Sequence, residues 1–406
     1  MDDIAERYVR LVLALGNHDS DYVDAYYGPD AWRAEARDDD RTVEQIRAAG
    51  DSLIATLEGI AVSGDDSLVV LRKEYLAQQL GALVARAAML GGRQMTFDEE
   101  SRALYDATAP TFSERHFADL VDELEQRLLG VGPLPERYQA FRAGYVIPPA
   151  RLDTVFTAAV GACRDRTMRH VELPESESFV VEYVTDKSWS GYNWYQGNYH
   201  SLIQVNTDFP IYIDRALDLA CHEGYPGHHV YNVLLEHHLM RGRGWIEFSV
   251  YALFSPQSLI AEGSANYGVA VAFPGSERST FERDTLFPLA GLDPATAERY
   301  SQVQGIVDRL DYAGNEAARR YLNGEIDAAQ AAQWLERYAL FPPDRAQQRV
   351  RFFDQYRSYV INYNLGQDLV REWVDAGLGP NPTEDARWRR FAELLASPRL
   401  PSGLRP

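Results

Sequence analysis

Cysteine and positive charge are both scarce in this 406-residue sequence. Its two cysteines, Cys163 and Cys221, do not belong to a CxxC pair, which excludes a disulfide-rich scaffold and an all-thiolate zinc site. Its 40 Lys and Arg residues are outnumbered by 60 Asp and Glu residues, so the net charge is −20 at pH 7. Because binding to nucleic acid or to an anionic membrane needs a basic surface, we expect neither as the main partner.

Long hydrophobic runs are also missing. The nearest candidate for a membrane span, residues 249–273, is interrupted by Pro256, Glu262 and Asn266, so it predicts a buried helix instead. The first residues, MDDIAERYVRLVLALGNHD, carry acidic residues where a secretory signal has basic ones. We therefore expect a cytoplasmic protein.

The composition that is present, 46% hydrophobic and 25% charged, is typical of a folded protein. Apolar residues three and four positions apart predict helices throughout residues 1–172, for instance over 69–90. Capping boxes are predicted at Thr42 with Gln45 and at Thr111 with Glu114. This N-terminal helical region is expected to precede a second region, 173–406, or to form one compact unit with it.

Residues 179–206 differ from their surroundings because they are rich in β-branched and aromatic side chains. They predict a small antiparallel sheet with strands at 179–184 and 199–205, and with turns at Gly191 and at 197–198. Helical spacing resumes at 213 and includes one long segment from about 345 to 376. The predicted fold is mainly α with a small antiparallel β-sheet, and the functional centre is expected in the sheet and the helices of 213–275.

Five of the nine histidines fall in the run CHEGYPGHHVYNVLLEHH, residues 221–238. A His-Glu pair followed closely by another His is typical of zincins, in which two histidines bind zinc and the glutamate activates a water molecule. The usual spacing is HExxH, but Pro226 stands at the fourth position after His222. The standard motif is therefore absent.

Helix geometry limits how these histidines can share an ion. On a regular helix, His228 would lie about 120° around the axis from His222, whereas His229 would share its face but lie about 10 Å along the axis. The Gly-Tyr-Pro-Gly segment 224–227 can interrupt a helix, because proline removes a donor and glycine reaches otherwise forbidden dihedral angles. We predict a broken helix with His222 and His228 as ligands, and His229 as the alternative to His228.

A third ligand is predicted in the helix that follows. Glu262 stands among apolar residues, and a carboxylate is costly to bury unless it binds a metal or an arginine. Asn266 would lie on the same helical face, where its oxygen could accept a hydrogen bond from a ligating histidine. Asp218, four residues before His222, could make that contact instead.

Together, the segments GNYHSLIQVNTDFP, HEGYPGHH, AEGSANYG and SYVINYNLGQDL resemble the bacterial family known as domain of unknown function 885. This family is grouped with the gluzincin-type zinc metallopeptidases, and the resemblance covers nearly the whole chain and is strongest from 190 to 275. It implies a zincin-like core enclosed by helices. It also implies one zinc ion bound by His222, His228 and Glu262, with Glu223 as the general base.

The resemblance implies substrate contacts as well. Residues 203–206, ending in Asn206, would form an edge strand on which a peptide could lie by strand addition. Tyr363 would donate a hydrogen bond to the oxyanion, and Arg357 and Tyr359 would anchor the substrate. Ser264 departs from the family, which usually has an aromatic residue there, and this difference affects the shape of the pocket.

These features favour a zinc-dependent peptidase that acts on short or unfolded peptides. The alternatives are a zinc amidase that acts on a small amide and a binding protein without turnover. A binding protein would have no need for Glu223 as a base. His237 and His238 are expected on a solvated face.

Overall fold

The computed structural model describes residues 1–62, 64, 66–187, 189–380 and 382–405. Helices dominate it, and they surround two small sheets. The prediction of a mainly helical protein with a small sheet is confirmed at this level. The division into two regions at about residue 172 stays a prediction.

The first part of the chain is helical apart from one short strand. Its elements are α1 (Asp2–Leu15), β1 (Val23–Tyr26), α2 (Asp30–Arg37), α3 (Val43–Glu58), α4 (Ser67–Leu90), α5 (Phe97–Tyr105), α6 (Glu114–Arg127), α7 (Leu134–Ala143) and α8 (Pro149–Thr167). The capping box of Thr42 and Gln45 begins α3 as predicted. The box at Thr111 is wrong, because the N-cap of α6 is Ser113. Glu114 is therefore the first residue of the helix, two positions before the one that closes a capping box.

Three strands and a long series of helices follow. They are β2 (Ser178–Val184), β3 (Gly191–Gly197), β4 (His200–Asn206), α9 (Ile213–Leu219), α10 (His228–Leu234), β5 (Val250–Ala252), α11 (Pro256–Ala272), α12 (Glu277–Phe281), α13 (Phe287–Ala290), α14 (Ala297–Val307), α15 (Tyr312–Leu322), α16 (Ala328–Tyr338), α17 (Pro343–Tyr356), α18 (Ile361–Ala376) and α19 (Glu384–Leu395). Short π-helical and 3₁₀ turns join several of them.

The three-stranded sheet has the order β2-β4-β3 and is mixed. β4 runs parallel to β2, with Val181 opposite Ile203, and antiparallel to β3, with Trp194 opposite Leu202. Two predictions are therefore wrong: the sheet is not wholly antiparallel, and β4 is its central strand. A central strand has both edges paired, so residues 203–206 cannot receive a peptide by strand addition. The central position of β4 was not predicted, because β3 begins at Gly191, where a turn was expected.

A second, two-stranded sheet pairs β1 with β5 in antiparallel fashion, with Ala25 opposite Tyr251. It brings the N-terminal part of the chain against the segment that leads into α11. The side chain of Asp24 in β1 thereby approaches the centre of the protein.

Helices α11 and α18 touch backbone to backbone. A Cβ atom at Gly263 would stand 2.2 Å from the carbonyl carbon of Gly366, and a Cβ atom at Gly366 would stand 2.6 Å from the carbonyl oxygen of Leu259. Only glycine fits such an approach. As a result, Glu262 on α11 lies beside the tyrosines at the start of α18.

The predicted helix from 345 to 376 is two helices, α17 and α18, separated at Arg357, which has a φ of 50°. The carboxylate of Glu100 stabilises the chain at this break. It accepts hydrogen bonds from Arg357 Nε at 2.6 Å and from Ser358 N at 3.0 Å.

A disulfide bond joins Cys163 of α8 to Cys221, 58 residues later. The sequence analysis did not predict this bond, because two isolated cysteines carry no pairing signal. The cytoplasmic location stays a prediction, and this bond bears on it because disulfides persist mainly in oxidising compartments. None of the helices in the described ranges has the length and apolar character that crossing a lipid bilayer demands.

Candidate metal centre

The helix that carries the histidine motif is broken where the sequence predicts. α9 continues into a π-helical turn, Ala220–Gly224, which is followed by a cis Tyr225–Pro226 peptide bond and Gly227, and α10 then starts at His228. A Cβ atom at Gly227 would stand 1.9 Å from the carbonyl oxygen of His222. The chain can return this close to itself only with glycine at that position.

This break brings His222 and His228 together with Glu262 from α11. The two Nε2 atoms are 3.1 Å apart, and Glu262 Oε2 lies 3.3 Å from His222 Nε2 and 3.7 Å from His228 Nε2. The side chains are 15%, 13% and 9% exposed, in the same order. The three predicted ligands thus form a compact cluster that solvent still reaches.

Hydrogen bonds outside the cluster fix which atoms face its centre. Asn266 donates through Nδ2 to the carbonyl oxygen of Tyr363 at 3.0 Å, so its Oδ1 is the atom that faces His222 Nδ1 at 2.9 Å. Because Oδ1 can only accept, Nδ1 of His222 carries the proton and Nε2 presents a lone pair to the centre. The prediction for Asn266 agrees with this contact.

Glu262 is held in a similar way. Tyr359 donates its hydroxyl proton to Oε1 at 2.8 Å, while Oε2 is buried without a hydrogen-bond partner. The lone pairs of this oxygen and of His222 Nε2 therefore face each other, which is unfavourable unless a cation stands between them. Two imidazoles and one carboxylate are a donor set of catalytic zinc sites, so the residues present fit a zinc ion.

Glu223 lies next to this cluster and against β3. Its carbonyl oxygen accepts a hydrogen bond from Asn193 Nδ2 at 2.7 Å, and its Oε1 lies 2.9 Å from the position that a Cβ atom of Gly191 would take. β3 is thus the strand that borders the predicted base.

Burial raises the pKa of Glu223 to about 7. The positive charge of His228 opposes this shift, while the negative charges of Glu262 and Asp24 add to it. A carboxyl group with a pKa near neutrality can both accept and release a proton at physiological pH, as a general base must.

Tyr363 and Tyr359 both lie at the cluster, but they have different surroundings. Burial and the neighbouring charge of Glu262 raise the pKa of Tyr363 well above its usual value, and Glu223 adds to the shift. Its hydroxyl therefore stays protonated and can donate a hydrogen bond. Tyr359 donates its hydroxyl proton to Glu262, and its role as a substrate anchor stays a prediction.

Two further predicted residues are held by contacts outside the cluster. Arg357 is paired with Glu100 and does not point a free guanidinium at the cluster. Asn206 donates to the carbonyl oxygens of Lys187 and Trp189 at 3.0 and 2.9 Å, which closes the loop between β2 and β3. Neither contact favours substrate binding.

Asp218 does not support a histidine, contrary to the prediction. It pairs with Arg278 at 2.9 Å and with Arg215 at 3.4 Å.

His229, the alternative ligand, points away from the cluster. It is buried between Ser201 Oγ at 2.8 Å and Glu177 Oε2 at 3.0 Å. His237 and His238 are exposed, as predicted.

Sequence reasoning missed Asp24 and its contact with Tyr192. The Tyr192 hydroxyl donates to the Asp24 carboxylate, and burial raises the pKa of Asp24 to about 6, with the charge of Glu262 also raising it and that of His228 lowering it. Asp24 therefore lies within electrostatic reach of the metal cluster. No spacing in the sequence relates β1 to the histidine motif, so only the pairing of β1 with β5 reveals this group.

No protein family profile and no curated protein matches the sequence. Among solved structures, the chain is similar to "the putative lipoprotein from Colwellia psychrerythraea", with a TM-score of 0.56, 16% identity, and coverage of 88% of this chain and 68% of that one. It also matches a "putative lipoprotein of unknown function from Shewanella oneidensis", with a TM-score of 0.43, 14% identity, and coverage of 90% and 75%. A third match is to the "BsuCP Crystal Structure", with a TM-score of 0.47, 12% identity, and coverage of 97% and 88%. The TM-score of the first indicates a shared fold, and at that level of identity the similarity extends to the fold alone.

Proposed function

We propose that the protein is a zinc-dependent metallopeptidase in which His222, His228 and Glu262 bind one zinc ion. The observation that supports this most is the convergence of their donor atoms, which all lie within 4.8 Å of one another. The outward-facing atoms of His222 and Glu262 are held by Asn266 and Tyr359, so these two residues present lone pairs inward. A zinc ion at such a site polarises a carbonyl group and lowers the pKa of a water molecule.

Two side chains supply the remaining chemistry. Glu223, with its pKa of about 7, accepts a proton from the attacking water and delivers it to the leaving amine. Tyr363 donates a hydrogen bond to the oxygen that becomes negatively charged during the attack. The small exposure of the ligands suits a short or unfolded peptide better than a folded protein.

The test is to incubate the purified protein with a mixed peptide library and to follow cleavage by mass spectrometry, with and without a chelator. Cleavage should occur, stop with the chelator and return with added zinc. In Glu223→Gln, the zinc content should be unchanged while the rate falls by about 10²- to 10⁴-fold, the usual contribution of a general base. His237→Ala changes an exposed histidine of the same run and should leave both zinc and rate unchanged.

The outcomes separate the alternatives. A protein that contains zinc, cleaves no peptide and hydrolyses small amides would be an amidase. A protein that contains zinc and hydrolyses neither would be a binding protein. Full activity in Glu223→Gln would remove that residue from its proposed role.

A further inference from the structure

Two arginines of α17, Arg345 and Arg349, lie one helical turn apart and therefore on the same face. Both are half-buried. Among the residues that the structure describes, neither forms an ion pair with a carboxylate, although acidic residues outnumber basic ones by 60 to 40 in the sequence. Half-buried charges that lack an opposite charge are costly, so this pair needs an explanation.

Further guanidinium groups gather around the same place. Arg345 lies over the ring of Phe209 at 5.2 Å, and Arg142 of α7 lies over the ring of Tyr212 at 3.7 Å. Phe209 and Tyr212 belong to the segment that leads directly into α9, which carries Arg215. Arginines from three different helices thus surround one short segment.

Burial and the nearby guanidinium groups change the pKa of Arg345. Burial and the positive charges of Arg349, Arg215 and Arg142 lower its pKa to about 10. We call these four arginines the arginine cluster, in which the charges of the other three act on Arg345. Such an arrangement stabilises a bound anion, because the anion relieves the mutual repulsion.

Two members of the arginine cluster lie beside carboxylates, since Asp218 pairs with Arg215 at 3.4 Å and Arg142 feels the negative charge of Asp214. Arg345 and Arg349 are neutralised incompletely. Burial raises the pKa of Asp311 to about 7, and the negative charges of Asp308 and Asp218 add to this shift. The positive charges of Arg215 and Arg349 oppose it. Near neutral pH, a large fraction of Asp311 is therefore uncharged. Arg345 and Arg349 therefore keep an excess of positive charge.

The arginine cluster borders the candidate metal centre. Arg349 lies over the ring of Tyr363 at 5.8 Å, and Tyr363 in turn feels the charges of Glu262 and Glu223. On the other side, Arg215 acts on Glu223. Arg349 and Arg215 therefore lie near Tyr363 and Glu223, the two side chains proposed to act on the substrate.

We infer that the arginine cluster, with Arg345 and Arg349 at its centre, binds a carboxylate of the peptide substrate. This inference rests on the proposed peptidase function and specifies its substrate class. Arginine suits this task because its planar guanidinium donates two parallel hydrogen bonds to a carboxylate. The carboxylate is either the C-terminal group of the peptide, which would make the enzyme a carboxypeptidase, or an acidic side chain near the cleaved bond.

The test compares three forms of one octapeptide library: with a free C-terminal carboxylate, with a C-terminal amide, and with Gln and Asn in place of Glu and Asp. The native protein should prefer the forms that carry the recognised carboxylate. Arg349→Gln should lower kcat/KM for those forms by roughly 10- to 100-fold, the effect of losing one charge-assisted hydrogen bond, and leave the other forms nearly unchanged. Arg351→Gln, an exposed arginine on the same helix, is the matched control.

A preference lost with the amide indicates the C-terminal carboxylate, and a preference lost with Gln and Asn indicates an acidic side chain. Arg349→Lys should recover part of the preference, since the charge remains, whereas damage to packing would not be repaired in a substrate-dependent way. Equal rates for all three forms in the native protein would overturn the inference while the peptidase function stands. An unchanged preference in both Arg349→Gln and Arg345→Gln would do the same.

Binding provides a readout that does not depend on turnover. Calorimetric titration of Glu223→Gln with all three forms of the library should show tighter binding of the forms that carry the recognised carboxylate, and the difference should disappear when Arg349→Gln is added. If this binding difference is found but the native protein hydrolyses no peptide, the peptidase function fails and the carboxylate site remains. If hydrolysis is found without any binding difference, the carboxylate site fails.

Discussion

The Nδ1 atom of His222 lies 2.9 Å from Oδ1 of Asn266, a residue 44 positions later in the chain. This hydrogen bond sets the tautomer of the imidazole, and a second bond, from Asn266 Nδ2 to the carbonyl oxygen of Tyr363, sets the orientation of the amide. One side chain thus links the broken helix, α11 and α18. The inward lone pair of His222 depends on it.

Asn266→Ala should therefore weaken zinc binding without removing a ligand. Loss of such an outer hydrogen bond typically lowers metal affinity by roughly 10- to 100-fold. Competition with a chelator of known affinity measures the change. Ser264→Ala is the control on the same helix, because Ser264 Oγ bonds only to the carbonyl oxygen of Ala261 one turn before it. Equal affinities in the two variants would contradict the role given to Asn266.

Glu177 should make stability depend on pH in the acidic range. Burial alone would raise its pKa, but hydrogen bonds from His229, Tyr225 and Arg164 outweigh burial and lower the pKa to about 2 from an ordinary value of 4.5. A lowered pKa means that the stabilisation is fully present above pH 4.5 and is lost as the pH falls towards 2. The free energy of unfolding that is lost in this way is on the order of 3 kcal/mol.

Urea unfolding of the native protein and of Glu177→Gln, measured from pH 6 to pH 2, checks this. The difference in unfolding free energy between the two should be constant above about pH 5 and shrink below it. Glu175→Gln, an exposed residue two positions earlier, should show no such trend. A difference that stays constant down to pH 2 would show that Glu177 is not held as the structure has it.

The Cys163–Cys221 disulfide should contribute strongly to stability. For a bond that closes a loop of 58 residues, the loss of chain entropy predicts about 4 kcal/mol. A reducing agent should lower the melting temperature of the native protein, while a double variant, Cys163→Ser with Cys221→Ser, should be insensitive to it. Finding two free thiols in the unreduced protein after denaturation would show that the bond does not form.

Gly263→Ala should destabilise the protein by roughly 3 kcal/mol or more, because its methyl group would overlap the backbone of Gly366 and force α11 and α18 apart. Thermal unfolding measures the loss. Gly305→Ala in α14 is the matched control: a Cβ atom there meets no neighbour, so alanine should raise stability by up to about 1 kcal/mol through its higher helix propensity. Similar effects from both substitutions would contradict the close contact of α11 and α18.

Local patterns predicted local structure well. The capping box at Thr42 begins a helix, the apolar spacing over 69–90 marks α4, and the Gly-Tyr-Pro-Gly segment breaks the helix between His222 and His228. Each of these follows from the chemistry of a few adjacent residues. The convergence of Glu262 could also be anticipated, because an acidic residue in an apolar helix needs a partner.

Long-range pairing could not be predicted from local pattern. The parallel alignment of β2 with β4 depends on a connection through β3, whose starting glycine was interpreted as a turn. Asp24 reaches the site only because β1 pairs with β5, far along the chain. Asp218 and Arg357 were assigned by spacing or resemblance, but arginine and glutamate partners from other helices hold them elsewhere. Such competition between charged partners is decided by tertiary packing.

The most direct test of the metal centre is zinc-edge X-ray absorption spectroscopy on the purified protein, combined with zinc analysis of His228→Ala, His229→Ala and the control His237→Ala. The account predicts one zinc ion with two histidine nitrogens and a carboxylate oxygen at about 2.0 to 2.2 Å, loss of that zinc in His228→Ala, and its retention in the other two variants. A protein that binds no zinc when it is supplied, or that loses zinc in His229→Ala and keeps it in His228→Ala, would contradict the account.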